Sequence, residues 1–212
     1  MLRATPLLIA LAAGCAPEAT SPEQANAAPF GDTAPRGLSP GDPVPPFTLV
    51  DTDGGTTRSA DLRGSIVVVE FLNPDCPFVS HAHGRGPLAD APAAWAGRGV
   101  AWLAVNSQAP GKNGGGVGAN RRAARSYDLP RPVALDEHGA MAAAFGATVT
   151  PTLAILDAKG ALAYLGGPDN APLGDAPDTG RRDFLTPVLE ALTAGEPAPF
   201  SRQKAYGCTI KR

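Results

Sequence analysis

The sequence predicts an α/β domain with a mixed central sheet, helices on both faces and an extra N-terminal hairpin. Three observations carry this. Ile66-Val67-Val68-Val69-Glu70-Phe71 is mostly β-branched, the composition of a central strand covered on both sides. Further apolar strand runs stand at 100–105, 152–156 and 161–165, with helical stretches between the earlier ones. Asp53-Gly54-Gly55 and Asp157-Ala158-Lys159-Gly160 are hairpin turns between strand-like segments.

Taken in order, Phe47–Val50 and Thr56–Arg58 form the first hairpin, and the run at 66–71 is the central strand. Asn73-Pro74-Asp75-Cys76-Pro77 then leads into a helix. Gly84-Arg85-Gly86-Pro87 interrupts that helix, which resumes from Pro87 to about Trp95. A Gly-rich loop fills 107–120, and Asn120–Tyr127 is helical. Pro132–Leu135 is a brief strand, and Gly139–Phe145 a helix closed by Gly146. The last helix carries Val188, Leu189 and Leu192, with Thr186 as cap, Pro187 as first helical residue and Gly195 as its end.

The ends are organised differently. Met1-Leu2-Arg3, the apolar stretch Leu7–Ala13 and Gly14-Cys15 have the form of a secretory signal, too short to span a bilayer as a mature helix. Leu11-Ala12-Ala13-Gly14-Cys15 resembles a bacterial lipoprotein signal, in which Cys15 becomes lipidated; the alternative is ordinary cleavage with Cys15 lost. Residues 16–46 are rich in Ala, Pro, Ser, Thr and Gly and read as a flexible tether. The domains are therefore 1–15 signal, 16–46 tether, 47–200 folded domain and 201–212 a tail carrying Cys208. An exported protein of the periplasm or cell envelope follows, touching the membrane only through a lipid on Cys15.

With 18 Lys and Arg against 20 Asp and Glu, no net field draws the chain to nucleic acid. Of the three cysteines, Cys76 and Cys208 remain once Cys15 is lipidated or removed. In an oxidising compartment such a pair invites a disulfide.

Cys76 is the central candidate. Pro77 suits the first helical position, which makes Cys76 the cap of the helix N-terminus. Unpaired N–H groups and the helix dipole there favour a thiolate, the nucleophilic form of sulfur. The competing reading is a buried structural cysteine. Glu70, near the end of the apolar strand and six residues before Cys76, is a candidate proton carrier. Its alternative is a strand-end carboxylate whose head reaches water.

Val69-Glu70-Phe71-Leu72-Asn73-Pro74-Asp75-Cys76-Pro77-Phe78-Val79 resembles the active-site segment of the thioredoxin-like redoxin proteins. These include the alkyl hydroperoxide reductase/thiol-specific antioxidant group and exported thioredoxin-like lipoproteins. The resemblance spans roughly Gly41 to the last residues and implies a thioredoxin-like fold. Only one cysteine of the usual Cys-x-x-Cys is present: Cys76 aligns with the first and Val79 with the second, or, shifted, Asn73 with the first and Cys76 with the second.

Ala147-Thr148-Val149-Thr150-Pro151-Thr152 is similar to the family's cis-proline loop, in which backbone beside Pro151 would pair with an extended peptide or thiol substrate. A trans proline opening a strand is the alternative. The resemblance makes Asn73, Pro77, Thr150 and Pro151 the substrate-binding residues. Ala205-Tyr206-Gly207-Cys208-Thr209-Ile210-Lys211 is similar to tails of exported single-cysteine redoxin-like proteins. That implies Cys208 as resolving thiol, against a static Cys76–Cys208 crosslink.

The peroxidase pattern Pro-x-x-x-Thr-x-x-Cys has Val69 and Asn73 at its Pro and Thr positions, leaving Asn73 as the hydrogen-bond donor and Arg85 or Arg131 as sources of charge. The expectation is a thiol oxidoreductase acting on protein thiols and disulfides or peroxide, without cofactor or metal, its electron donor unspecified. The rival from another class is a copper-binding metallochaperone or partner-binding domain. His81 and His83 lie too far round or along a regular helix to share a metal with Cys76, so copper would need Cys208 or His138. Gly111-Lys112 lacks the flanking residues of a phosphate loop, and Gly114–Ala119 does not follow a strand as a dinucleotide fingerprint would.

Overall fold

The computed structural model describes Phe30 and residues 37–212. The signal at 1–15, Cys15 and most of the tether lie outside the described residues. From Gly37 onward the chain is packed rather than tethered. Leu38 is buried in the core, its N–H donates to Ala144 O, and Val44 N–H donates to Gly160 O. A few apolar residues and backbone bonds suffice to hold a Pro- and Gly-rich segment that composition alone assigns to a linker.

Among the described residues nine strands form a seven-stranded mixed sheet and a small two-stranded one. They are β1 (Thr48–Asp51), β2 (Thr56–Arg58), β3 (Val67–Phe71), β4 (Ala101–Asn106), β5 (Ala134–Leu135), β6 (Val149–Thr150), β7 (Thr152–Leu156), β8 (Leu162–Gly166) and β9 (Cys208–Thr209). The large sheet runs β2-β1-β5-β4-β3-β7-β8. Strand β3 is central, parallel to β4 and antiparallel to β7, and all five of its residues are buried. The N-terminal hairpin extends the sheet by pairing β1 antiparallel to β5.

Alternation along β3 divides the core. Val67, Val69 and Phe71 face Met141, Ala142 and Phe145, while Val68 faces Trp102, Ile155, Leu185 and Val188. Helices therefore cover both faces. Helix α4 (Ala140–Phe145) lies on the first; α1 (Pro77–Arg85), α2 (Ala91–Ala96) and α5 (Leu185–Thr193) contribute to the second. Helix α3 (Val117–Ser126) packs Ala124 near Leu72, Cys76 and Ala104. None of the helices among the described residues is long and apolar enough to cross a membrane.

Three local expectations shift. Helix α2 starts at Ala91, not Pro87, because α1 ends at Gly86 in extended conformation and residues 87–90 turn. Helix α5 starts at Leu185, and its opening N–H groups donate to Asp183 Oδ1 (Leu185 at 2.9 Å, Thr186 at 3.2 Å). A carboxylate two residues upstream thus supplies the acceptor expected of Thr186. Residues 201–212 run along the fold: Gln203 N–H donates to Leu165 O, and β9 pairs with β6.

Candidate active site

Sequence places Cys76 at the mouth of α1, and the structure has it there. Pro77 opens the helix, Cys76 is its N-cap (φ −86°, ψ 120°), and Ser80 N–H donates to Cys76 O at 3.0 Å. The sulfur, however, makes no cap hydrogen bond to its own helix. It donates instead to the carbonyl of Thr150 at 3.3 Å, and the residue is 1% exposed.

The Thr150–Pro151 peptide bond is cis. Thr150 lies on the short strand β6, whose antiparallel partner is β9, in the register Thr150↔Cys208 and Val149↔Thr209. That register packs Cys208 against the apolar cluster that holds Cys76. Both cysteines are free. Burial first, then the neighbouring Cys76, pushes the Cys208 thiol up to about 12.

Asn73 is buried and shapes the loop ahead of Cys76. Its Oδ1 accepts from Asp75 N–H at 2.9 Å, its backbone carbonyl accepts from Cys76 N–H at 3.0 Å, and its Nδ2 donates to Asn113 O at 3.2 Å. Gly114 sits directly against it; a Cβ there would stand 1.8 Å from Asn73 Oδ1. The Gly-rich loop is thus a wall of the site, fixed further by Asn106 Nδ2 donating to Gly114 O at 2.7 Å and to Asn120 Oδ1 at 2.8 Å.

Glu70 is fully buried, so its head does not reach water. One carboxylate oxygen lies 2.6 Å from His83 Nε2 and the other accepts from Trp102 Nε1–H at 2.9 Å. His83 stacks on Tyr127, with ring centroids 4.2 Å apart and planes 8° from parallel. Burial, chiefly, pushes the Tyr127 hydroxyl up, and the negative charges of Glu70, Cys76 and Asp75 add to this. The structure thus joins Glu70, His83 and Trp102 in one buried group under α1, with half-buried Tyr127 stacked on it. Sequence reading missed Trp102 and Tyr127, and considered His83 only as a metal ligand without its partner Glu70. The available signal was helical phase, which returns residue 83 to the inward face of Cys76.

The two arginines considered as sources of charge lie elsewhere. Arg85 closes α1 with Nε 3.4 Å from His81 Nδ1, and Arg131 lines a surface pocket with Arg121, Arg125 and Asp128. Helix α1 puts its last residue about 13 Å along the axis from Cys76. Among the described residues no group of three or more His, Cys, Asp or Glu side chains is placed to hold a metal ion. His83 is engaged by Glu70, His81 lies beside Arg85 on the other side of the helix, and His138 sits in the turn before α4.

No curated protein matches the chain. Solved structures do. An uncharacterised conserved protein from Geobacillus kaustophilus is 27% identical, with TM-score 0.69, over 85% of this chain and 94% of that one. A hypothetical protein from Sinorhizobium meliloti is 26% identical, with TM-score 0.69, over 82% and 94% respectively. The solution structure of a candidate thioredoxin from Neisseria meningitidis is 26% identical, with TM-score 0.50, over 60% and 79%. The Redoxin family profile matches residues 39–180, well over half the sequence. The fold is thioredoxin-like, and the chain belongs to the Redoxin family.

Proposed function

We propose that this protein is an exported thiol oxidoreductase in which Cys76 is the nucleophile and Cys208 the resolving thiol. One observation carries the reading: the β6–β9 register sets Cys208 opposite Thr150, whose carbonyl the Cys76 thiol touches, and packs Cys208 against the cluster that holds Cys76.

With a disulfide substrate, the Cys76 thiolate attacks one sulfur, and the other departs as thiolate. Cys208 then attacks the mixed disulfide at Cys76, its proton leaves with the departing thiol, and a Cys76–Cys208 disulfide remains. With a hydroperoxide, Cys76 becomes a sulfenic acid and the alcohol is released; Cys208 condenses with it, expelling water. Either cycle needs an external thiol reductant to reopen the disulfide. Pro77 fixes the helix start, and Thr150 and Pro151 form the substrate face. Asn73 holds the loop that carries Cys76, and Glu70, through His83 and Tyr127, sets the proton environment under the helix. Export rests on the signal-like residues 1–15, with Cys15 as lipid anchor.

The test is mass spectrometry of the alkylated protein before and after peroxide or a disulfide substrate, then reductant. The expected result is a Cys76–Cys208 bond that forms and opens with substrate turnover. A bond that never forms, or one that mild reductant leaves intact, overturns the assignment of Cys208. Full turnover in Cys76→Ser overturns that of Cys76.

A further inference from the structure

The strand β9 occupies the edge of β6 beside the cis-proline, and Thr150 on that strand accepts from the Cys76 thiol. The segment is seated as a bound peptide would be. Its backbone pairs at Thr150 and Val149, and Ile210 N–H donates to Thr148 O at 2.9 Å. Lys211 N–H donates to Gln108 Oε1 at 3.0 Å, and Lys211 O accepts from Ala109 N–H at 2.9 Å. Side chains fill separate seats. The Tyr206 ring lies 6.0 Å from that of Phe78, Cys208 packs against the cluster that holds Cys76, and Ile210 alone among residues 207–211 is buried. Gly207 passes so close to the loop that a Cβ on it would stand 1.8 Å from Thr150 O.

Resting on the thiol-oxidoreductase reading, we infer that residues 206–211 are a tethered occupant of a polypeptide-binding edge, and that a protein substrate reaches Cys76 by displacing them. The partner is an extended polypeptide carrying a sulfur to be exchanged. The seats define its pattern: an aromatic residue, glycine, the cysteine, any residue facing solvent, then an apolar residue. The glycine is required because no side chain fits against Thr150 O. Thr209 points to solvent and reads nothing, while the Ile210 seat selects an apolar side chain. Main-chain pairing supplies affinity and the alternate seats supply selection. A two-residue strand with one buried side chain is a small attachment compared with β3 or β7, which are buried throughout.

The experiment uses the full chain with Cys208→Ser, so that no internal disulfide forms, and follows iodoacetamide labelling of Cys76 by peptide mass. Adding Gly207→Val, which drives the segment off Thr150 O, should raise the labelling rate at least tenfold. A synthetic peptide of residues 204–212 with serine for Cys208 should then bind that variant in fluorescence anisotropy and slow the labelling again. Unchanged labelling in a variant with normal thermal unfolding, or a peptide without effect, overturns the inference. Should Gly207→Val fail to fold, hydrogen exchange of the parent protein decides. Amides of 208–211 should exchange at least a hundredfold faster than those of 68–71, and equal protection overturns the inference. None of these readouts needs turnover, so a mobile segment on an inactive protein and a fixed segment on an active one are told apart.

Discussion

The carboxylate of Glu70 and the imidazole of His83 lie 2.6 Å apart with neither side chain exposed to solvent. Glu70 also accepts the Trp102 indole N–H, so one acid satisfies two buried donors from two different elements. Removing the acid alone strands both. Glu70→Ala is expected to cost about 3–5 kcal/mol of unfolding free energy, the usual cost of breaking a buried pair. Glu70→Gln, which keeps one acceptor oxygen, should cost clearly less. Urea denaturation of both variants checks this; equal, small losses would mean that the contact adds little to stability.

The contact between Gly114 and Asn73 gives a second expectation. Gly114 has φ 79°, a left-handed conformation, and faces the Asn73 side chain. Gly114→Ala adds backbone strain and a collision in one step, at about 1–3 kcal/mol. Because Asn73 orders the turn before Cys76, thiol reactivity should change along with thermal stability. Asn73→Ala should reproduce the change in reactivity without the collision. Parallel measurements of melting and thiol labelling separate the two effects.

Alkaline pH should unfold the protein by a defined route. The Cys208 thiol is held at about 12, and burial pushes the Tyr127, Tyr164 and Tyr206 hydroxyls up. A group whose folded pKa is raised binds its proton more tightly in the native state. Stability is then fully present below the unfolded pKa and is lost as pH rises toward the folded one. The loss begins near pH 9 for Cys208 and near 10 for the tyrosines, at about 1.4 kcal/mol per pH unit for each group titrating only in the unfolded chain. Cys208→Ser should remove the earliest part of this decline in denaturation curves between pH 8 and 10. A curve superimposable on the parent protein's would contradict it.

Replacing Cys208 should divide the reaction cycle. In Cys208→Ser the first attack by Cys76 remains possible but the internal disulfide does not. Substrate turnover should fall at least tenfold, and Cys76 should accumulate as mixed disulfide or sulfenic acid, trapped by dimedone in the latter case. Undiminished turnover would show that an external thiol resolves Cys76 directly.

The parts of this fold legible in the sequence are those with a local cause. Ile66–Phe71 declares a central strand through its β-branching, and Pro77 fixes the start of α1 and so the place of Cys76. What stayed hidden depends on distant partners. Nothing in Tyr206-Gly207-Cys208-Thr209 has strand periodicity, and β9 exists because β6 offers an edge. Glu70 could be seen as an unusual acid in an apolar run, but its partner His83 emerges only when strand and helix are docked in phase. Leu38 looked like one apolar residue in a linker, and the pocket beside Ala144 that buries it is made by other parts of the chain. Asp183 displaced Thr186 as the acceptor for α5 because the chain folds back before the helix, a path no composition records.

The seating of β9 also sets an order on folding. The sheet, α1 and the cis-proline loop are all encoded before residue 200, whereas the strand that covers the Cys76 sulfur comes after it. A chain emerging from N- to C-terminus can form the nucleophile's surroundings before its cover exists. The thiol is then most open to stray oxidants during biogenesis, and least once the last strand is laid down. Long-range closure of this kind is the slow part of assembling a fold.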